Sequence, residues 1–455
     1  MKLAWLDIIE AANTHYQPGT FSSLIAYEYT SGPQSQNLHR NVFFRGDKAP
    51  VLPFSRIMSP NPEDLWAWMD GLRDKGLDSI AVPHNPNGSN GLMFRTEKWD
   101  GTPMDQAYAD TRMRNEPLVE VTQVKGDSET HPALSPNDEF ADFETMPYRI
   151  GVWEDSQPDG SYVRQAYRRG LEMAAKGNGN PYKFGLIGAS DTHVGAGAFD
   201  EDNYWSKVGL VDATPQARGS VPLPKPNDDG SLYSPNKFET WSASGLAAVW
   251  ADSNTREGIF DAMRRKETYA TTGPRIKLRF FASSGFAPSI LSQNDMVKAA
   301  YDEGVPMGGD LSLSPNQTPQ FLVWAMRDPL SNGLQRVQMV KGWVDADGAS
   351  HEKVFDIQCA GGKSPNAAGR CPDNQAKVDV TTCKSSAATS ADELKTIWQD
   401  PDYRADQAAF YYVRVLENPS CRWSTWDALR SGVAPRAGID SVIQERAYSS
   451  PIWVN

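Results

Sequence analysis

The segment Gly185-Leu-Ile-Gly-Ala-Ser-Asp191-Thr-His193 ends an apolar run on a carboxylate and an imidazole two residues apart. On a strand, residues two apart point to the same face, so Asp191 and His193 would present an oxygen and a nitrogen side by side. Those donors suit zinc or manganese, and an open coordination position beside them would permit hydrolysis by an activated water. Three more apolar runs end in a comparable way: residues 21–27 lead to Glu28, 77–83 to His84 and 117–119 to Glu120. The chain holds 6 histidines, and His15, His39, His84, His131 and His193 all fall among these carboxylates in its first half. A metal site in that half would leave such a distribution.

Glu120, Lys125, Glu129 and His131 form a second tier of catalytic candidates. Two carboxylates, an ammonium and an imidazole close in sequence can supply a general acid or base and an anion clamp. Lys125 is the candidate for a negatively charged leaving group, and a solvated charged loop is an equal reading of the same stretch. His15 and His351 carry no partner signal and read as structural or solvated.

Between the apolar runs lie helical patterns at residues 62–73 and 162–175, and the alternation of strand and helix predicts parallel β/α units. Such folds gather functional groups at the carboxyl ends of their strands. Residues 213–243, rich in Pro, Gly, Ser and Asn, read as a long surface excursion, and a helix is expected over about 253–266. After Arg275 the pattern changes to strand, turn, strand, with 276–282, 320–326, 334–340 and 409–416 the clearest runs. The expected organisation is therefore an α/β domain over 1–275, a distorted β/α barrel, followed by a β-rich, sandwich-like domain over 276–455. The run Thr268-Tyr-Ala-Thr-Thr-Gly-Pro274 reads as the strand joining them, with closure over the site as the alternative.

Composition narrows the function classes. Hydrophobic content of 39%, charged content of 22% and 14 Trp describe a folded globular protein. A net charge of -12 argues against nucleic acid or anionic membrane as a partner, because neutralising phosphates takes clustered Lys and Arg. No window is long and apolar enough to span a bilayer. The first ten residues pattern as an amphipathic helix without the uncharged centre of a signal peptide. Cys359, Cys371, Cys383 and Cys421 lie late in the chain with no C-x-x-C pair, which suits one or two disulfides and an oxidising compartment. Free buried thiols are the alternative, and any of three pairings fits the sequence.

Glu28 in Ala-Tyr-Glu-Tyr-Thr, His39 in Leu-His-Arg-Asn-Val, His84 in Val-Pro-His-Asn-Pro and the Ser-Asp-Thr-His set resemble the later metal-binding motifs of the PHP (polymerase and histidinol phosphatase) superfamily. End to end, the chain resembles domain-of-unknown-function family 3604, PHP-like proteins of bacteria that are often exported. Residues 121–129, 265–274, 410–417 and 445–453 carry that likeness. The resemblance implies a distorted β/α barrel holding two or three divalent ions, zinc, manganese or iron, with Glu28, His39, His84, Asp191 and His193 as ligands. It also implies a periplasmic or secreted location. The superfamily's opening His-x-His and Thr-Asp-His motifs have no counterpart in this sequence. By the family pattern they would precede Met1, which implies an N-terminally incomplete barrel.

These readings converge on a metal-dependent hydrolase acting through activated water on a phosphoester, or a related ester or amide, of an anionic small molecule. The alternative is a non-catalytic exported binding protein with a degenerate barrel, in which Trp250, Trp324, Trp343, Trp398 and Trp423 furnish contacts.

Overall fold

Helix α1 (Lys2–Thr14) precedes β1 (Ala26–Tyr29), β2 (Arg40–Phe44), α2 (Pro62–Arg73) and β3 (Ser79–Pro83), and the three strands form one antiparallel sheet in the order β1-β2-β3. The structure is a computed structural model that describes residues 2–195, 197, 198 and 200–455. Helix α2 starts where the Asn61 side chain accepts a hydrogen bond from the Glu63 N–H with Pro62 in the first turn. Its Leu65, Trp66, Met69 and Leu72 recur at helical spacing and are buried. Next, α3 (Gln106–Asn115) leads to β4 (Leu118–Gln123) and β5 (Gly126–Asp127). After α4 (Val163–Ala175), β6 (Gly185–Gly188) pairs with β4 in parallel, giving the order β5-β4-β6.

The rest of the chain is dominated by strands. β7 (Leu246–Val249), α5 (Arg256–Arg264), β8 (Thr268–Thr271), β9 (Lys277–Ser283), α6 (Met296–Glu303), β10 (Val305–Pro306), β11 (Asp310–Leu311) and β12 (Gln320–Met326) follow in order. Then come β13 (Leu334–Val344), β14 (Ser350–Cys359), β15 (Lys377–Asp379), β16 (Lys384–Ser386), β17 (Glu393–Gln399), β18 (Ala409–Glu417), β19 (Ser420–Cys421), α7 (Trp423–Arg430), β20 (Val442–Ile443), β21 (Arg446–Ser449) and β22 (Ile452–Val454). Eight of these strands make one sheet in the order β11-β22-β18-β21-β8-β7, with β13 on the other edge of β18 and β14 beyond it. A second sheet runs β10-β9-β12-β17, antiparallel throughout.

The expected β/α barrel is overturned. Strands pair mainly antiparallel in separate sheets, the described residues hold 7 α-helices, and no closed barrel forms among them. Apolar runs identify strands but not their partners. The sequence reading passed over β2, which inserts between β1 and β3 and reverses direction, so neighbouring strands meet antiparallel where crossovers were expected. Only the β4–α4–β6 stretch of the first half follows the parallel pattern. Strand β8 pairs with β21 and β7 with β8, so these strands from before residue 275 extend the sheet built by β13, β18 and β22, and pairing crosses that position.

The central strands of the eight-stranded sheet are buried on both faces. Val337, Met339, Tyr411 and Val413 point one way into a core shared with Leu278, Phe280, Phe321 and Val323 of the four-stranded sheet. Val340, Phe410 and Tyr412 point the other way, against Tyr167 and Leu171 of α4, Val119 and Val121 of β4 and Leu186 of β6. That double burial explains why β18 reads as a nearly continuous apolar run.

Where α4 meets this sheet, a buried ionic cluster joins the two halves of the chain. Glu129 accepts hydrogen bonds from Arg164, Tyr412 and Arg414, the last at 3.0 Å. Asp138 accepts from Arg164 at 2.8 Å and from Arg414 at 2.9 and 2.7 Å. Residues 213–243, expected as a surface excursion, are tied down at both ends. Arg218 makes two hydrogen bonds to Asp427 of α7, at 2.9 and 2.7 Å, while Phe238 and Trp241 pack with Tyr204, Val124 and Trp423. Two disulfides close late loops, Cys359–Cys371 and Cys383–Cys421, and point to an oxidising environment. No described helix is long and apolar enough to cross a membrane.

Candidate metal centre

The register of the first sheet assembles the centre. Asn41 of β2 lies opposite Glu28 of β1 and Val82 of β3. Alternation then puts His39, two residues before Asn41, and His84, two residues after Val82, on the face that carries Glu28. A backbone hydrogen bond from the His84 N–H to the His39 carbonyl at 3.2 Å continues the pairing past the strand ends. Asn37 fixes the chain beyond His84 by donating to the carbonyls of His84 and Asn85, at 2.5 and 3.0 Å. Left-handed Asn85 (φ 46) then turns the backbone away.

Glu28 Oε1 sits 2.7 Å from His39 Nδ1 and 3.3 Å from His84 Nε2, and the two imidazole rings meet edge to face at 5.5 Å. One donor atom from each of the three residues lies within 4.8 Å of the others. His84 is 2% exposed and neither of its ring nitrogens makes an aligned hydrogen bond, whereas the Glu28 side chain is 33% exposed. The site therefore has a dry floor and an open mouth. Burial opposes the charge on Glu28, but the hydrogen bond with His39 and the close approach of the His84 imidazole outweigh it and hold the carboxyl well below the usual carboxylate range. Burial lowers the His39 imidazole, aided by His84 and Lys125 and opposed by Glu28. An ionised carboxylate beside a neutral imidazole is the form in which these groups ligate a divalent ion.

Glu120 projects from β4 toward the same floor. It is buried, its Oε1 has no hydrogen-bond partner, and burial raises its pKa to about 7, with Asp191 adding to the shift and His84 and Lys125 opposing it.

Asp191 and His193 do not lie on a strand. β6 ends at Gly188, where an added Cβ would stand 2.9 Å from the Leu246 backbone, and the chain leaves the sheet with Asp191 in the left-handed region (φ 50). Asp191 Oδ2 contacts the Lys125 ammonium and lies 3.3 Å from Lys207 Nζ; its Oδ1 is 3.5 Å from His193 Nε2. Burial opposes ionisation of Asp191, yet Lys125, His193 and Lys207 hold it well below the usual range. The His193 side chain is 53% exposed.

The structure thus brings Glu28, His39 and His84 into one cluster of donor atoms. Glu120, Lys125, Asp191 and His193 sit beside that set, with Asp191 held by ammonium groups. It does not bring Glu129 or His131 there. Glu129 is committed to the arginines of the buried cluster, and His131 stacks near Tyr162 at 5.3 Å while its Nδ1 accepts from the Ala133 N–H at 3.1 Å. His351 is taken by Asp345 at 2.6 Å. Sequence reasoning missed Lys207, whose ammonium lies 3.0 Å from His193 Nε2. Its one sequence signal was a lysine between Trp205 and Val208 in an otherwise turn-rich stretch.

Fold and site together define a mostly antiparallel β protein with a His/Glu cluster on the face of a small N-terminal sheet. The chain belongs to the family described as "Protein of unknown function (DUF3604)", whose model matches residues 1–455. Neither the curated proteins nor the solved structures contain a match to it.

Proposed function

We propose that this protein is a metal-dependent hydrolase, related in its chemistry to PHP-type enzymes, that cleaves a phosphoester or a related ester or amide of an anionic small molecule. The observation that carries the reading is the convergence of Glu28, His39 and His84 on one face of three paired strands, with His84 Nε2 3.3 Å from Glu28 Oε1 and its buried Nδ1 unpartnered. Buried polar atoms without partners are costly, and a cation in their midst removes that cost. The donor set, one carboxylate and two imidazoles, suits zinc, manganese or iron. A divalent ion held there would supply Lewis-acid polarisation of a substrate oxygen and acidify a coordinated water.

This chain's own groups would do the rest. The Glu120 carboxyl, with a pKa raised to about 7, holds or releases a proton near neutral pH at its free Oε1. Lys125 and Lys207 offer N–H donors to negative charge on the substrate. Two disulfides support export, to the periplasm or outside the cell, as the setting. A second reading, a binding protein without catalysis, is favoured by a cavity of about 250 Å³ beside the Cys359–Cys371 bridge, lined in part by Gln335, Asn374 and Thr389.

Purified chain analysed for metal and assayed on p-nitrophenyl phosphate and bis(p-nitrophenyl) phosphate with added Mn²⁺ or Zn²⁺ tests the proposal. Bound metal and turnover, both lost in Glu28→Gln, are expected. A chain that binds neither ion and turns over neither ester refutes it.

A further inference from the structure

We propose that the centre takes a single divalent cation, at Glu28, His39 and His84, and that Lys125 and Lys207 hold the neighbouring position a second ion would need. The proposal rests on the metal-centre reading above and concerns how many ions that centre accepts.

Asp191 and His193 are the nearby groups that would ligate a second ion, and each contacts an ammonium group as well as the other, at 3.5 Å. Asp191 Oδ2 faces Lys125 Nζ and, at 3.3 Å, Lys207 Nζ. Lys207 Nζ is also 3.0 Å from His193 Nε2, so the nitrogen that faces Asp191 has an ammonium group beside it. Among the described residues, the donor atoms that crowd within 4.8 Å of one another belong to Glu28, His39 and His84, with neither Asp191 nor His193 in the set.

Lys207 is delivered by a built turn. Asp212 accepts from the Lys207 N–H at 2.7 Å, the Val208 N–H at 3.0 Å and the Ser206 hydroxyl at 2.6 Å, which fixes the backbone on both sides. The side chain is buried and its ammonium lies 5.9 Å from the Trp241 ring centre. Moving this charge aside would mean dismantling the turn. Two ammonium groups carry the charge of one divalent ion, so Asp191 is already compensated. A second ion would meet two positive charges at close range, with Glu120, its pKa raised to about 7, as the further carboxylate beside them. The pair also leaves N–H groups beside the first ion, where the anionic part of a substrate would bind.

Full-length chain stripped with a chelator and titrated with Mn²⁺, followed by electron paramagnetic resonance and by calorimetry, tests the count. One equivalent with the signal of an isolated ion is expected. His193→Ala, at a half-exposed position, should change the affinity less than about threefold, whereas His39→Ala should weaken it at least about 100-fold. Lys125→Met with Lys207→Met should admit a second equivalent; if that variant does not fold, the wild-type count and His193→Ala still decide. Two equivalents with a spin-coupled signal in the wild type, or equal losses in the two histidine variants, overturn the single-ion proposal and leave the hydrolase reading standing. No binding at all overturns both.

Discussion

Glu129→Ala separates a structural carboxylate from a catalytic one. The side chain sits in a quartet of two carboxylates, Glu129 and Asp138, and two guanidinium groups, Arg164 and Arg414, all fully buried. The quartet is neutral as it stands. Removing Glu129 leaves Arg164 and Arg414 with Asp138 as the one buried carboxylate and the partly exposed Glu352 at 3.3 Å from Arg164, and it strips the Tyr412 hydroxyl and one Arg164 N–H of their acceptor. Breaking a buried ion pair from one side costs about 3–5 kcal/mol, against a total stability of roughly 5–15 kcal/mol for a typical protein. The loss should show as a lower urea midpoint in Trp fluorescence, with Mn²⁺ binding intact in the folded protein. Glu129→Met with Arg164→Met restores neutrality and keeps the Asp138–Arg414 pair, so it should cost less than Glu129→Ala alone. Acid sharpens the test. Burial opposes the charges on Glu129 and Asp138, but Arg164 and Arg414 hold both carboxyls below their usual range. Their contribution is therefore present at neutral pH and is lost as pH falls below the unfolded values of 4.5 and 3.8, a loss that should be smaller in the variant. A change under about 1 kcal/mol together with lost cation binding or turnover would refute the structural role and return Glu129 to the chemistry.

A raised carboxyl makes the opposite pH prediction. Burial pushes Glu417 up to about 8 from 4.5, with Ser331 bonded to one oxygen and the other unpartnered, so the folded state binds a proton that the unfolded state releases. Stability should fall as pH rises from about 5 to 8, and Glu417→Gln should flatten that slope in urea midpoints measured across the range. An unchanged slope would mean that Glu417 is ionised in the fold. Reduction gives a separate test. Cys383–Cys421 closes 38 residues and Cys359–Cys371 closes 12, worth about 4 and about 3 kcal/mol in the chain-entropy account. Cys383→Ala with Cys421→Ala should therefore lower the urea midpoint more than Cys359→Ala with Cys371→Ala, and the reverse order would show native-state contacts outweighing loop entropy.

The elements were more legible in the sequence than their arrangement. Ser79–Pro83, Leu118–Gln123, Gly185–Gly188 and the long strands after residue 275 announce themselves by apolar content, and α2 and α4 by helical spacing. Strand direction is written in no single segment. The barrel was inferred from alternation, but the turn at residues 30–39 sends β2 back along β1, and what decides the pairing is long-range burial of Val42 and Phe44 against Leu65 and Met69. Glu129 misled because a buried carboxylate satisfied by arginines and a catalytic one look alike until their partners are seen, and those partners lie 35 and 285 residues away.

The site was legible as residue types and illegible as geometry, for a reason the first sheet makes plain. Glu28, His39 and His84 share a face only because β2 pairs Asn41 with both Glu28 and Val82. Strand side chains alternate with a period of two, so a slip of one residue in β2 would turn His39 to the opposite face and take a ligand out of the set. The core guards against that slip: Val42 and Phe44, fully buried, would be turned to the face of the site, while Asn41 and Phe43 would be driven into the packing against α2. The apolar residues that fix the register therefore also fix the position of the imidazole, and ligand geometry is inherited from packing. Asp191 lacks any such guarantee, since it lies beyond the end of β6, and its position depends on Lys125 and Lys207. An anchor made of ammonium groups keeps that carboxylate in place and, for the same electrostatic reason, turns a second cation away.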